Sequence, residues 1–276
     1  MNQTFLNQNI LLIKNNVVNT KIVLTFILLS FCVSGIKAQT NFVWGKQFGT
    51  SKNEYAITPV ADQNGNVYIS GSTSGNLSGE NHGKTDGYVT KIDSIGNIVW
   101  TKQFGSGEDD KVNWLAMDKK GNLYAVGTTK GILHDKNYGH EDIMVVKLDN
   151  SGNIEWQKQY GTDSTDIGNS IFVDTQGNIY VTGSTKGIMG KSSFGKSDGV
   201  ILKLDTKGNQ LFISQFGAPG DNMCTGITGD DASNIYVCGF TTGDLAAKNK
   251  GKYDAFIGKF DNQGKQIRLF QFGTDN

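Results

Sequence analysis

The sequence predicts an all-β propeller built from four-stranded antiparallel blades, and three observations predict it. An aromatic-glycine pair recurs every 56 residues, at Phe48-Gly49, Phe104-Gly105, Tyr160-Gly161, Phe216-Gly217 and Phe272-Gly273. Repeats of this kind mark arrays, because one unit cannot bury its apolar face without neighbours. Each unit holds short runs of period-two apolar alternation bounded by turn residues, with no helical periodicity. Each unit also carries two aspartate-to-glycine turns of the same form, and two tight hairpins make a four-stranded meander. A sandwich would not keep one fixed period.

The units run at about 49–104, 105–160, 161–216 and 217–272. In the first, strands are expected at roughly Tyr55–Ala61, Asn66–Ser72, Tyr88–Ile92 and Asn97–Phe104. The turn between the first two strands is closed by Gly65, Gly121 and Gly177 in successive units, and the other hairpin is opened by Asp93, Asp149, Asp205 and Asp261. Aspartate at the first turn position bonds the following amides, and glycine at the fourth accepts positive φ. In the fourth unit Ser233 replaces that glycine, so local strain is expected there. Tyr68, Tyr124, Tyr180 and Tyr236 share one place in the second strand, and Trp44, Trp100 and Trp156 one place in the fourth. Rings at fixed repeat positions suit packing between blades. The Trp position decays to Phe212 and then Arg268, so the last outer strand is expected to lack a neighbour on one face.

Residues 41–48 already read as a fourth-strand copy. The expectation is therefore four whole blades plus one extra N-terminal strand, in an incomplete ring. Gly273-Thr274-Asp275 repeats the opening of a unit, which reads as a piece of a longer propeller protein. An open arc exposes apolar blade faces and invites self-association.

Residues 1–38 stand outside the repeat. Lys21 precedes the 14-residue apolar run 22–35, and Ile36-Lys37-Ala38 before Gln39 has the form of a secretory cleavage site. The run is short for a membrane span, which needs about 20 residues. Phe31 before Cys32 argues against lipidation. Residues 39–276 then form the repeat domain of a secreted or cell-surface protein. The 26 basic and 26 acidic residues balance, and losing Lys14, Lys21 and Lys37 leaves 23 basic groups and a net charge of −3. No Lys/Arg cluster points to nucleic acid.

The strings GNIYVTGST (177–185) and DGVILKLD (198–205), with the aromatic-glycine strand end, closely resemble the SBBP family of β-propeller repeats over residues 41–276. The resemblance implies a secreted or surface-exposed scaffold or binding module and no catalytic residues.

Few residues depart from the repeat. Asp86, Asp142, Asp198 and Asp254 open the third strands, with Lys91, Lys147, Lys203 and Lys259 five residues on. The reading preferred for them is turn bonding and local pairing. Glu54, Asp110, Asp166 and Asn222 form a polar set that would collect cations if it faced a central channel; no metal is expected there, because unneutralised carboxylates repel. The loop between second and third strands keeps one length but varies in content, so its exposed stretches are the expected binding surface. His134, Asp135, Tyr138, His140, Glu141, Phe194 and Tyr253 are the candidate residues, with a protein or glycan as ligand. His beside carboxylates can hold zinc, yet surface loops carry such groups without it. Cys224 and Cys238 fall on adjacent strands, open to a disulfide or to two free buried thiols. Asp93–Trp100 and Asp149–Trp156 resemble the tryptophan-docking motif of quinoprotein dehydrogenases, one residue short and without a matching calcium or quinone ligand set. Neither a cofactor nor an enzymatic activity is expected. The alternatives are a remnant of a larger surface protein or a fragment of such an enzyme.

Overall fold

The computed structural model describes residues 43–275, so the leader expected over residues 1–38 lies outside the described residues. The chain divides into two units, Met1–Gly45 and Lys46–Asn276, and every strand among the described residues belongs to the second. Its 16 strands form four antiparallel sheets of four, each in chain order. The first blade is β1 (Glu54–Ala61), β2 (Val67–Thr73), β3 (Asp86–Ile92) and β4 (Ile98–Phe104). The second is β5 (Asp110–Met117), β6 (Leu123–Thr129), β7 (Asp142–Leu148) and β8 (Ile154–Tyr160). The third is β9 (Asp166–Val173), β10 (Ile179–Thr185), β11 (Asp198–Leu204) and β12 (Gln210–Phe216). The fourth is β13 (Asn222–Gly229), β14 (Ile235–Thr241), β15 (Asp254–Phe260) and β16 (Gln266–Phe272).

Both turns form as their residues require. Asp62 Oδ1 accepts the amides of Asn64 and Asn66 at 2.8 and 3.0 Å, and Gly65 closes the turn at φ 78°. Asp93, Asp149 and Asp205 repeat the arrangement in the second hairpin. The amide of Asn97 at Asp93, the side chain of Asn153 at Asp149 and the amide of Asn209 at Asp205 act foremost to hold each carboxyl below its ordinary range. Ser233 keeps the same turn and is the one non-glycine residue at positive φ among those described, at 62°. A left-handed residue with a Cβ costs about 1–2 kcal/mol. Ser233→Gly is therefore expected to stabilise the fold by about 1 kcal/mol, checked by denaturant unfolding.

Inner strands stand side by side, β1 by β5, β5 by β9 and β9 by β13. Single parallel bridges, Thr85 to Asp109, Glu141 to Thr165 and Ser197 to Asp221, stitch successive blades. Three apolar cores fill the three junctions. Tyr68, Val89 and Phe104 meet Leu115, Leu123 and Met144 in the first; Tyr124, Val145 and Val200 join the second; Tyr180, Ile201, Phe216 and Phe256 form the third. No comparable packing joins β13 to β1 among the described residues, so the blades stand in an open row.

Trp100 and Trp156 donate Nε1–H across the junction to the carbonyls of Asn150 and Thr206, at 3.3 and 3.2 Å. Their rings lie flat against the turn glycines of the next blade, where a Cβ on Gly152 would come within 2.9 Å of Trp100. Within their own blades they meet Tyr68 and Tyr124 at 6.0 and 6.4 Å. Tyr236, in the last described blade, is half-exposed, and Arg268 lies exposed over the Phe270 ring.

The N-terminal copy differs from expectation. Residues 43–50, including Trp44, lie in no strand. An outer strand pairs with the third strand of its own blade, and the sequence before Asn41 carries no copy of the other three strands. Phe48 still acts as the end of a preceding blade, meeting Tyr88 edge-on at 6.1 Å.

Candidate functional site

The long loops are held by a clamp built from one glutamine and one aspartate per blade. Gln103, Gln159, Gln215 and Gln271 precede the aromatic-glycine pairs. Each Oε1 accepts a loop amide, from Leu77, Leu133, Met189 and Leu245 respectively, at 2.8–3.0 Å. Each Nε2 donates to the carbonyl of Gly75, Gly131, Gly187 or Gly243 at 3.0 Å. The same nitrogen reaches Oδ2 of Asp86, Asp142, Asp198 or Asp254 at 2.6–2.9 Å. That oxygen also accepts the amide of His82, Tyr138, Phe194 or Lys250. The loop is thus tied at both ends by buried groups, and Leu133, Met189 and Leu245 tuck into the cores below. The periodic aspartates bond loop amides, as expected of them. Their glutamine partners were legible in the recurring Gln-aromatic-Gly and are missing from the candidates drawn from sequence.

The candidate residues do not form one site. Tyr138, Phe194 and Tyr253 are exposed at 39%, 46% and 66% on three different blades, and Tyr253 packs edge-on against Phe240 at 5.3 Å. His140 is tied through its amide to Ser164, and Glu141 pairs with Lys130 at 3.5 Å. Only His134, Asp135 and Tyr138 converge. With Lys136, Lys158, Tyr160 and residues 208–210 of the next blade they line a recess of about 290 Å³.

Both imidazole nitrogens are engaged in this recess. His134 Nδ1 lies 3.0 Å from Asp135 Oδ1, and Nε2 lies 3.0 Å from Lys158 Nζ. A neutral ring with the proton on Nδ1 satisfies both contacts. Tyr160 donates its hydroxyl to the Gly208 carbonyl, and burial, followed by the Asp205 charge, pushes its ionisation well above the ordinary tyrosine range. Lys136 lies over the Tyr138 ring at 4.4 Å. The recess offers an aromatic plate with cationic donors and one carboxylate, and no free histidine lone pair. Among the described residues no group of three or more His, Cys, Asp or Glu is placed to hold a metal ion.

The other polar sets have local roles. Lys91, Lys147, Lys203 and Lys259 lie over Tyr68, Tyr124, Tyr180 and Tyr236 at 4.9–5.5 Å, in the geometry of a cation–π contact. Asp110 and Asp166 are fully buried at the blade junctions, accepting from the amides and hydroxyls of Ser106 and Thr162. Asn222, their counterpart beside Ala218, donates instead to the carbonyls of Ala218 and Ser197. The two cysteines among the described residues are free. Cys224 is buried and Cys238 exposed, and Cys238 pairs in register with Gly226 while Cys224 pairs with Gly239. A bulge at Thr225 sets this offset, and the two thiols lie on opposite faces of the sheet. The disulfide considered from sequence is therefore absent, and burial pushes the Cys224 thiol up to about 12.

A family model described as a beta-propeller repeat, SBBP, matches residues 43–78, 99–134, 155–188 and 211–246. Regulatory protein FlaEY of Caulobacter vibrioides is 24% identical over 220 residues, which cover 74% of this chain and 23% of that protein. The chain thus spans under a quarter of that relative's length. A Bacteroides caccae protein of unknown function overlays 83% of this chain and 71% of its own, at 13% identity and TM-score 0.47. A polysaccharide lyase of family PL25, an ulvan lyase, overlays 81% of this chain and 59% of its own, at 15% identity and TM-score 0.46. Neither likeness bears on what this chain binds.

Proposed function

The chain belongs to the SBBP β-propeller repeat family, and on that footing we propose that it is a non-catalytic binding module working outside the cytoplasm. The observation that carries this reading is the clamp, which fixes four loop backbones alike while leaving their exposed side chains to differ. Fixed main chain under variable side chains is the construction of a recognition surface on a rigid scaffold. The leader-like residues 22–38 support export.

The second-blade loop is the foremost contact. Tyr138 supplies an amphipathic ring, Lys136 and Lys158 supply charged donors, and Asp135 an acceptor. Such a set suits a polar polymer with apolar faces, such as a glycan. A screen of surface polysaccharides and glycans, followed by titration, tests the reading. Tyr138→Ala is expected to weaken binding about tenfold, the scale of losing one anchor, with unfolding unchanged. Equal binding by the variant would remove this loop from the surface, and a screen with no ligand among polymers or exported proteins would count against a binding role.

A further inference from the structure

The fourth blade departs from the others on the face that the others bury. In the first three blades the next blade covers that face, and Val89, Val145 and Ile201 are 0% exposed. Their counterpart Ile257 is 43% exposed, and Phe272 is 60% exposed where Phe104 and Phe216 are 2% and 6%. Two further positions have changed character. Phe240 replaces Ser72, Thr128 and Ser184, and Phe270 replaces Lys102, Lys158 and Ser214. Strand register sets Cys238, Ile257 and Phe270 in one cross-strand row and Phe240, Ala255 and Phe272 in the next.

The strip differs from the faces on which the other blades seat their neighbours. At the first junction the Ser72 hydroxyl lies against the incoming inner strand and accepts the amide of Val112 at 3.3 Å. Phe240 puts a phenyl ring at the place of that hydroxyl and offers such a strand no acceptor. The first blade's seat is also taken: Phe48 meets Tyr88 at 6.1 Å and 85°, as Phe216 meets Phe256 at 6.0 Å and 87°. A second copy docking head to tail would bring its Phe272 to the place Phe48 holds. Like-on-like contact of the two fourth blades meets neither obstacle.

We propose that the open face of the fourth blade docks the same face of a second copy about a two-fold axis. Apolar sheet faces stack with interdigitating side chains, and an isologous contact closes without leaving a free end. Charge favours the pairing. Lys259 and Arg268 lie at one end of the strip, and the exposed Asp244 and Asp275 at the other. A two-fold axis crossing the strands sets each copy's basic end over the other's acidic end.

Light scattering of the purified protein across a wide concentration range tests the proposal, with twice the chain mass expected at the upper end. Phe270→Lys and Phe240→Ser install residues that other blades carry at these places, and both are expected to give folded monomers, with circular dichroism as the control. Cys238 reports independently: its reaction with a thiol reagent is expected to slow several-fold as the dimer forms. A monomer at every concentration would overturn the proposal, as would a dimer that both folded variants retain. If a variant fails to fold, the Cys238 rate in the unsubstituted protein decides, and a rate independent of concentration would also overturn it.

Discussion

Gln159→Leu is expected to lower the unfolding free energy by about 3 kcal/mol, the largest single effect foreseen here. The substitution keeps the volume and removes three hydrogen bonds. Leu133 loses its acceptor at 3.0 Å, the Gly131 carbonyl its donor at 3.0 Å, and Asp142 Oδ2 one of its two donors, at 2.6 Å. Gln159 is 7% exposed and Asp142 0%, so water does not readily replace what is lost. Each buried polar group left unsatisfied costs about 1–3 kcal/mol, more when it is charged. Burial already pushes the Asp142 carboxyl up, and losing the amide donor pushes it further. Denaturant unfolding measures the loss. Hydrogen exchange locates it, with the amides of Leu133 and Tyr138 losing protection before the strands do. A variant as stable as the parent, with those amides still protected, would show that the clamp does not hold the loop.

The second large effect is a gain. Asp110→Asn is expected to stabilise the protein at neutral pH by about 1–2 kcal/mol, the scale of one buried polar atom left unsatisfied. Asp110 is 0% exposed, and its Oδ1 accepts no hydrogen bond, with Thr129 near the carboxylate outside bonding geometry. Burial foremost, with the neighbouring Asp86 charge adding to it, raises its pKa. An acid whose folded pKa is raised binds its proton more tightly folded than unfolded, so its contribution is best below the unfolded pKa near 3.9 and declines as pH climbs from there through the folded value. Asparagine keeps an acceptor for the Ser106 amide and adds a donor, as Asn222 shows at the third junction. The gain should shrink toward pH 4. Stability curves for the two proteins that run parallel from pH 4 to 7 would reject the assignment.

Turn chemistry made most of the fold legible in the sequence. Aspartate and glycine at fixed spacing located the hairpins, and the 56-residue period counted the blades. The clamp was equally visible as Gln-aromatic-Gly, yet a neutral side chain beside a large ring draws less notice than a charge. The recess was legible in part: His134 and Asp135 are neighbours in the chain, while Lys158 arrives from β8, 24 residues on. Cysteine spacing left the disulfide open, because the bulge at Thr225, which shifts the register by one residue and turns a side chain to the other face, is not legible in it. Residues 41–48 have the composition of an outer strand, yet the described part, residues 43–48, lies in no strand.

The clamp grips only main-chain atoms of the loop, at Leu133, Gly131 and Tyr138 in the second blade and their counterparts elsewhere. Whatever the side chains of residues 134–136 become, the anchoring bonds are the same, while Asn137 adds its own to the Lys130 carbonyl and the Gly139 amide. A blade copied by duplication can therefore diverge in what it touches without re-solving how it folds. For the engineer, the corresponding positions in all four blades form a set of interchangeable cassettes on one frame.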